Sequence, residues 1–152
     1  MKIIGIWNDD QCWFESNSVT KELAELVADY AGDIQLVPEW LPDGYVFDNV
    51  TVSGNENDMF EKICAEFYRE SNDDIDELYI DYIFLHNENE KFHYEKDSAN
   101  VEIYTKYGIE YHIIEDLGVR LIIWRNGIYE CFITGNFSIA EAKKIVNSIY
   151  GE

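Results

Sequence analysis

Residues 119–150 read VRLIIWRNGIYECFITGNFSIAEAKKIVNSIY, and this stretch decides the fold class. Two runs of β-branched and aromatic residues flank Asn126-Gly127, the dipeptide favoured in a two-residue type I′ hairpin because both central positions need positive φ. Such a turn sets Arg125 opposite Ile128, Trp124 opposite Tyr129, Ile123 opposite Glu130, Ile122 opposite Cys131 and Leu121 opposite Phe132. Aromatic and aliphatic side chains then meet across both faces of the hairpin. A helix follows directly. Ser138 and Glu141 have the spacing of a capping box, and Ile139, Ala142, Ile145, Val146 and Ile149 make one apolar stripe from which Lys143 and Lys144 turn away.

Upstream, residues 78–85, 91–96, 101–107 and 109–117 are dense in β-branched and aromatic residues and are separated by short turns at 87–90, Gly108 and Gly118. Five or six consecutive strands with such short connections predict an antiparallel meander, since parallel pairing needs long crossovers. Further back, Val19, Leu23, Leu26, Val27 and Tyr30 fall on one face of a helix capped near Ser16-Asn17-Ser18 and stopped by Gly32. Pro42-Asp43-Gly44 is a turn with a mechanism, proline presetting φ and glycine accepting positive φ, and it launches a strand over residues 45–52. Phe60, Ile63, Cys64, Phe67 and Tyr68 have the spacing of a second amphipathic helix, and residues 3–7 that of a short strand. The whole predicts an α+β domain: an antiparallel sheet with N- and C-terminal helices packed on one face.

One domain accounts for the 152 residues, a length that buries roughly 68–70% of the unfolded surface without metal or disulfide staples. The formal charge of −20 is unevenly placed: residues 1–100 carry 24 acids against 6 bases, and residues 101–152 carry 7 against 5. That field repels phosphates and anionic lipid surfaces, which speaks against nucleic acid and membrane surfaces as partner classes and leaves a cationic partner or divalent ions open. Its plainer role is a solvated surface that keeps the chain soluble. No apolar run is long enough for a membrane span, and the apolar start of the chain is too short for a secretory signal core.

Cys12, Cys64 and Cys131 are odd in number and lack the Cys-x-x-Cys spacing of metal or redox sites; they read as small hydrophobes, with Cys12 unplaced. No Gly-x-Ser-x-Gly elbow and no phosphate-binding glycine loop is present, so no catalytic residue and no cofactor site is assigned. Asp73-Asp74-Ile75-Asp76-Glu77 offers oxygen ligands but lacks the glycine and distal glutamate of a helix-loop-helix calcium site, which favours a solvated turn. His86 and His93 face each other across a hairpin if Asn89-Glu90 is its turn. They are the weak candidates for zinc, without a third ligand in view; two exposed hairpin histidines is the simpler reading. The tyrosines and tryptophans either line a groove for an apolar ligand or pack helices onto the sheet, and for Trp124 and Tyr129 packing is favoured.

Leu41-Pro42-Asp43-Gly44-Tyr45, then Trp124, Asn126-Gly127, Tyr129, Gly135, Ser138, Glu141, Lys144-Ile145 and Ser148-Ile149, resemble an uncharacterised family of bacterial domains of unknown function. The resemblance covers about residues 38–150, with residues 1–37 as an N-terminal strand and helix extension. Members typically form C-terminal ectodomains of membrane-anchored proteins in Gram-positive bacteria, and the family is similar to the half-barrels of periplasmic lipoprotein carriers and of a sigma-E regulator. It implies a curved antiparallel sheet with helices on its concave side, and no catalytic residues. It places the chain outside the cytoplasm if this is an excised ectodomain; as a complete chain it would be cytoplasmic, toward which three unpaired cysteines lean.

The expectation is therefore non-enzymatic: a binding or sensing domain for a peptide, a lipid-like molecule or a partner protein. A purely structural or protein-interaction module is the alternative, and a hydrolase the third reading.

Overall fold

The structure, a computed structural model, describes residues 2–3, 11–12, 14–15, 19–55, 60–85, 101–116 and 118–152, with side chains described outside 1–22, 54, 55, 60 and 61. Its elements in chain order are β1 (Lys2–Ile3), β2 (Gln11–Cys12), β3 (Phe14–Glu15), α1 (Val19–Ala31), β4 (Val46–Asn55), β5 (Phe60–Ser71) and β6 (Asp74–Phe84), then β7 (Val101–Lys106), β8 (Ile109–Asp116), β9 (Val119–Asn126), β10 (Tyr129–Gly135) and α2 (Ile139–Ile149). His86, His93 and the strand expected over residues 91–96 lie outside the described residues, as do the caps expected at 16–18 and most of 3–7.

Among the described residues the main sheet is antiparallel and runs β2-β4-β5-β6-β10-β9-β8-β7, while β1 and β3 pair separately. The meander comes in two runs, β4-β5-β6 and β7-β8-β9-β10, whose last strands pair with each other. The described strands do not close into a barrel; β2 and β7 are its two ends.

Both helices cover one face. Leu23, Leu26, Val27 and Ala31 of α1 and Ala142, Ile145, Val146 and Ile149 of α2 share a core with Ile63, Phe67, Leu78, Ile80, Ile122 and Ile133 of the sheet. The aromatics beneath them are core as well: Tyr82, Tyr111 and Trp124 are fully buried, and Tyr129 packs edge-on against Phe84 with centroids 5.2 Å apart. Tyr30, the last residue of the α1 stripe, stacks on Phe84 with centroids 5.2 Å apart. On the opposite sheet face Ile83, Leu85, Ile114, Ile123 and Phe132 form a smaller buried cluster beside the Arg125–Glu130 ion pair, 2.9 Å long, whose Glu130 is wholly buried.

Three local readings are corrected. The helix expected over residues 60–68 is the first part of strand β5. Ile63, Ala65 and Phe67 point into the core, while Cys64 and Tyr68 occupy the other face; apolar residues on both faces of a strand imitate helical spacing. Residues 72–73 turn β5 into β6 with φ of 48° and 67°, the double positive φ of a I′ turn, so of the acidic run only Asp73 lies in the turn and Asp74, Asp76 and Glu77 lie on β6. The β9–β10 register is shifted by two residues: Tyr129 faces Asn126, Glu130 faces Arg125 and Cys131 faces Trp124. Gly127 alone takes positive φ, 62°, so Gly127-Ile128 forms the turn, as in a II′ rather than a I′ hairpin. A two-residue shift leaves every side chain on its expected face. Lys143 and Lys144, expected to point away, are engaged: Lys143 pairs with Glu102 at 2.6 Å and Lys144 lies 4.1 Å from the Trp40 ring centroid.

The capping box of α2 is as read. Ser138 Oγ accepts from the Glu141 amide at 3.0 Å, and the Ser138 amide donates back to Glu141 Oε1 at 2.9 Å. The Pro42-Asp43-Gly44 turn has Gly44 at φ 91° and is tied down by Arg69. That guanidinium donates to the Asp43 and Asn136 carbonyls, pairs with Asp76 at 3.1 Å and lies over the Tyr45 ring. Among the described residues no helix is long and apolar enough to cross a membrane.

Candidate functional site

A cleft lies in the helical layer, not between helices and sheet. It begins where α1 stops. Gly32 takes the left-handed conformation, φ 65°, and its amide closes on the Ala28 carbonyl at 2.9 Å, turning the chain out of the helix. The segment from Asp33 to Leu41 then crosses to α2 and is pinned along its length. Leu36 is buried and its carbonyl accepts from Tyr82 Oη at 2.9 Å. The Glu39 and Trp40 amides both donate to Ser148 Oγ at 3.1 Å, and Ser148 Oγ donates in turn to the Ile145 carbonyl at 2.7 Å. Lys144 closes over Trp40.

This crossing segment, α1 and the end of α2 enclose a half-open cleft of about 520 Å³. Ala24, Val27 and Ala28 line it from α1, Leu36, Val37 and Pro38 from the crossing segment, and Ile149 from α2. Asp33, Gln35 and Glu39 supply its polar groups. Its accessible lining is about equally polar and apolar, and its volume is within the range of a small-ligand or side-chain pocket.

A second hollow of about 290 Å³ lies on the sheet face away from the helices, lined by Asp48, Glu66, Tyr68, Ile75, Glu77 and Tyr79. Its acids are engaged within the protein. Tyr79 Oη donates to the Glu77 carboxylate, a bond that pushes the phenol up to about 12, and Asn49 Nδ2 donates to Glu66 at 3.1 Å.

The described thiols are not poised for nucleophilic chemistry. Burial, with a hydrogen bond to Asp81, pushes Cys64 up to about 12, and burial pushes Cys131 well above its ordinary value. Both stay protonated at neutral pH, whereas the thiolate is the reactive form. Cys12 sits on β2, paired with Val50; its side chain is outside the described set. Asp76 of the acidic run is held by Arg69, and among the described residues no three His, Cys, Asp or Glu side chains converge to hold a metal ion. His112, on β8, has Nε2 3.8 Å from Glu110.

A family model for a domain of unknown function, DUF4367, matches residues 35–149, well over half of the chain. The chain belongs to that family. No curated protein and no solved structure matches it. The DUF4367 region starts within the crossing segment, so Leu36, Val37, Glu39 and Ile149 of the cleft belong to it, while the α1 residues Ala24, Val27 and Ala28 precede it.

The residues that carried the family resemblance prove to be structural. Gly44 and Tyr45 dock on Arg69, and Trp124 is core. At Gly135 any Cβ would come within 3.3 Å of Leu78. Ser148 and Ile149 link that set to the cleft. Sequence reasoning took residues 32–39 as a helix stop and a connection. The available signal was modest: apolar Ile34, Leu36 and Val37 in a segment that had no helix or strand to place them in.

Proposed function

We propose that this DUF4367 domain is a non-enzymatic binding module whose ligand site is the cleft between α1, the crossing segment and the end of α2. The observation that carries the reading is the cleft itself: about 520 Å³, lined by both apolar and polar groups, open to solvent and framed by the Ser148 hydrogen bonds. The kinship with lipoprotein-carrier half-barrels drawn from the sequence would seat a ligand between sheet and helices. Tyr82, Tyr111 and Trp124 fill that space, which favours the outer cleft. Protonated thiols support a non-catalytic role, and a charge of −20 supports a ligand that is not a polyphosphate.

The test uses Nile red, a neutral apolar dye, with the folded chain and with Ala28→Phe. Ala28 is an exposed helix position facing the cleft, so the larger side chain fills the site with little cost to the core. Saturable fluorescence enhancement that Ala28→Phe removes is the expected result. Absence of enhancement, or enhancement unchanged by the substitution, would overturn the reading and leave a purely structural interaction module.

A further inference from the structure

The electrostatics of the cleft narrow what it takes. Two acidic residues, Asp33 and Glu39, line it. Two helix C-termini also end on it, since Gly32 follows the last residue of α1 and Ile149 is the last residue of α2. A helix C-terminus carries roughly half a negative charge, normally complemented by a basic side chain in the last turn. Neither α1 nor α2 has one there. Lys144, earlier on α2, is drawn over the Trp40 ring. Four negative contributions thus surround the exposed apolar part of the lining, which is Ala24, Ala28, Ile34 and Val37, with Val27, Leu36 and Ile149 buried beneath it. Beyond the cleft, the excess of acids over bases in residues 1–100 extends the same sign of field over α1 and β4–β6. A single small amine would use little of that extended field, whereas a chain with several cationic groups uses it throughout.

We propose that the cleft takes a basic amphipathic peptide segment of a partner protein, with an apolar side chain against Ala28, Ile34 and Val37 and a Lys or Arg beside it facing Asp33 and Glu39. This rests on the cleft being the binding site.

The probe is a fluorescein-labelled peptide of alternating Lys and Leu, followed by anisotropy against the whole chain. Two comparison peptides replace every Leu by Ser or every Lys by Glu. Three variants are compared: Asp33→Asn with Glu39→Gln, Ala28→Phe, and Asp73→Asn with Asp74→Asn. The last pair removes the same formal charge at the exposed β5–β6 turn. Expected are saturable binding of the Lys-Leu peptide, no binding of the Glu-Leu peptide, and about tenfold weaker binding for the Asp33/Glu39 pair, the sum of two exposed ion pairs. The Asp73/Asp74 pair should change affinity by less than about twofold.

Equal losses for the two charge pairs, or equal affinity for the Lys-Ser peptide, would overturn the proposal by reducing it to non-specific attraction. If Ala28→Phe abolishes Nile red binding yet leaves the Lys-Leu peptide bound as before, the cationic-peptide inference falls and the cleft reading stands. If Ala28→Phe alters neither, both fall.

Discussion

Replacing Ser148 with alanine tests how the cleft is framed. Ser148 is 3% exposed, and its Oγ accepts from the Glu39 and Trp40 amides while donating to the Ile145 carbonyl. In Ser148→Ala the Glu39 amide keeps a second acceptor, the Ser148 carbonyl at 3.3 Å, whereas the Trp40 amide loses its described partner. Leaving a donor unsatisfied costs about 1–3 kcal/mol, and Trp40 is only half-buried, so water recovers part of that. The expected loss is about 2 kcal/mol, which at a urea slope of about 2 kcal/mol/M lowers the midpoint by about 1 M. The measurement is urea unfolding by circular dichroism, combined with hydrogen exchange of the Trp40 amide, which should accelerate beyond what the global loss accounts for. A midpoint shift below about 0.3 M with unchanged Trp40 exchange would refute the idea that one hydroxyl holds the crossing segment to α2.

The remaining expectations follow from burial and charge. Phe67→Ala, which empties a core position packed edge-on against Phe47, should cost about 3–5 kcal/mol in chemical unfolding, while Tyr68→Ala on the other strand face should cost no more than about 1 kcal/mol; equal costs would speak against the strand alternation of β5. Glu130→Ala leaves Arg125 without its 2.9 Å carboxylate in a buried setting and should cost about 3–5 kcal/mol, so a near-neutral result would contradict the pairing. Stability should also fall at alkaline pH. Cys64, Cys131, Tyr82 and Tyr111 hold their protons in the folded chain above the ordinary values of 9.0 for cysteine and 10.0 for tyrosine, chiefly through burial. Above about pH 9 the unfolded state therefore binds fewer protons than the folded state, and stability drops as pH rises, for Cys64 until about 12. Unfolding free energies that match at about pH 7.5 and about pH 10.5 would count against this.

The last thirty residues were legible because their signals agree. The β-branched runs, the glycine turn, the capping box and the helical stripe all point to one structure, and β9, β10 and α2 follow it. The register of that hairpin was not, because β10 is an interior strand. It pairs with β6 as well as β9, Tyr129 sits between Asn126 and Phe84, and the Leu85 amide donates to the Ile128 carbonyl at 2.7 Å. Packing against β6 sets the alignment, and the local Asn-Gly preference gives way. The strand over residues 60–71 was hidden by a related effect, since Cys64 and Tyr68 complete a helical stripe only when the neighbouring strands β4 and β6 are out of view. The cleft was the least legible feature. Its lining comes from α1 and the crossing segment and, more than a hundred residues later, from α2, and the Ser148 hydroxyl that helps to frame it is marked by no periodic pattern.

Backbone-amide NMR during titration with 1-hexanol, a small neutral apolar probe, tests the central claim most directly. If the cleft is the binding site, saturable shifts will concentrate at Ala24, Ala28, the amides of residues 32–37 and Ile149, with the β7–β10 strands unmoved. Shifts centred instead on the sheet face of Ile83, Ile123 and Phe132, or an unchanged spectrum, would contradict it.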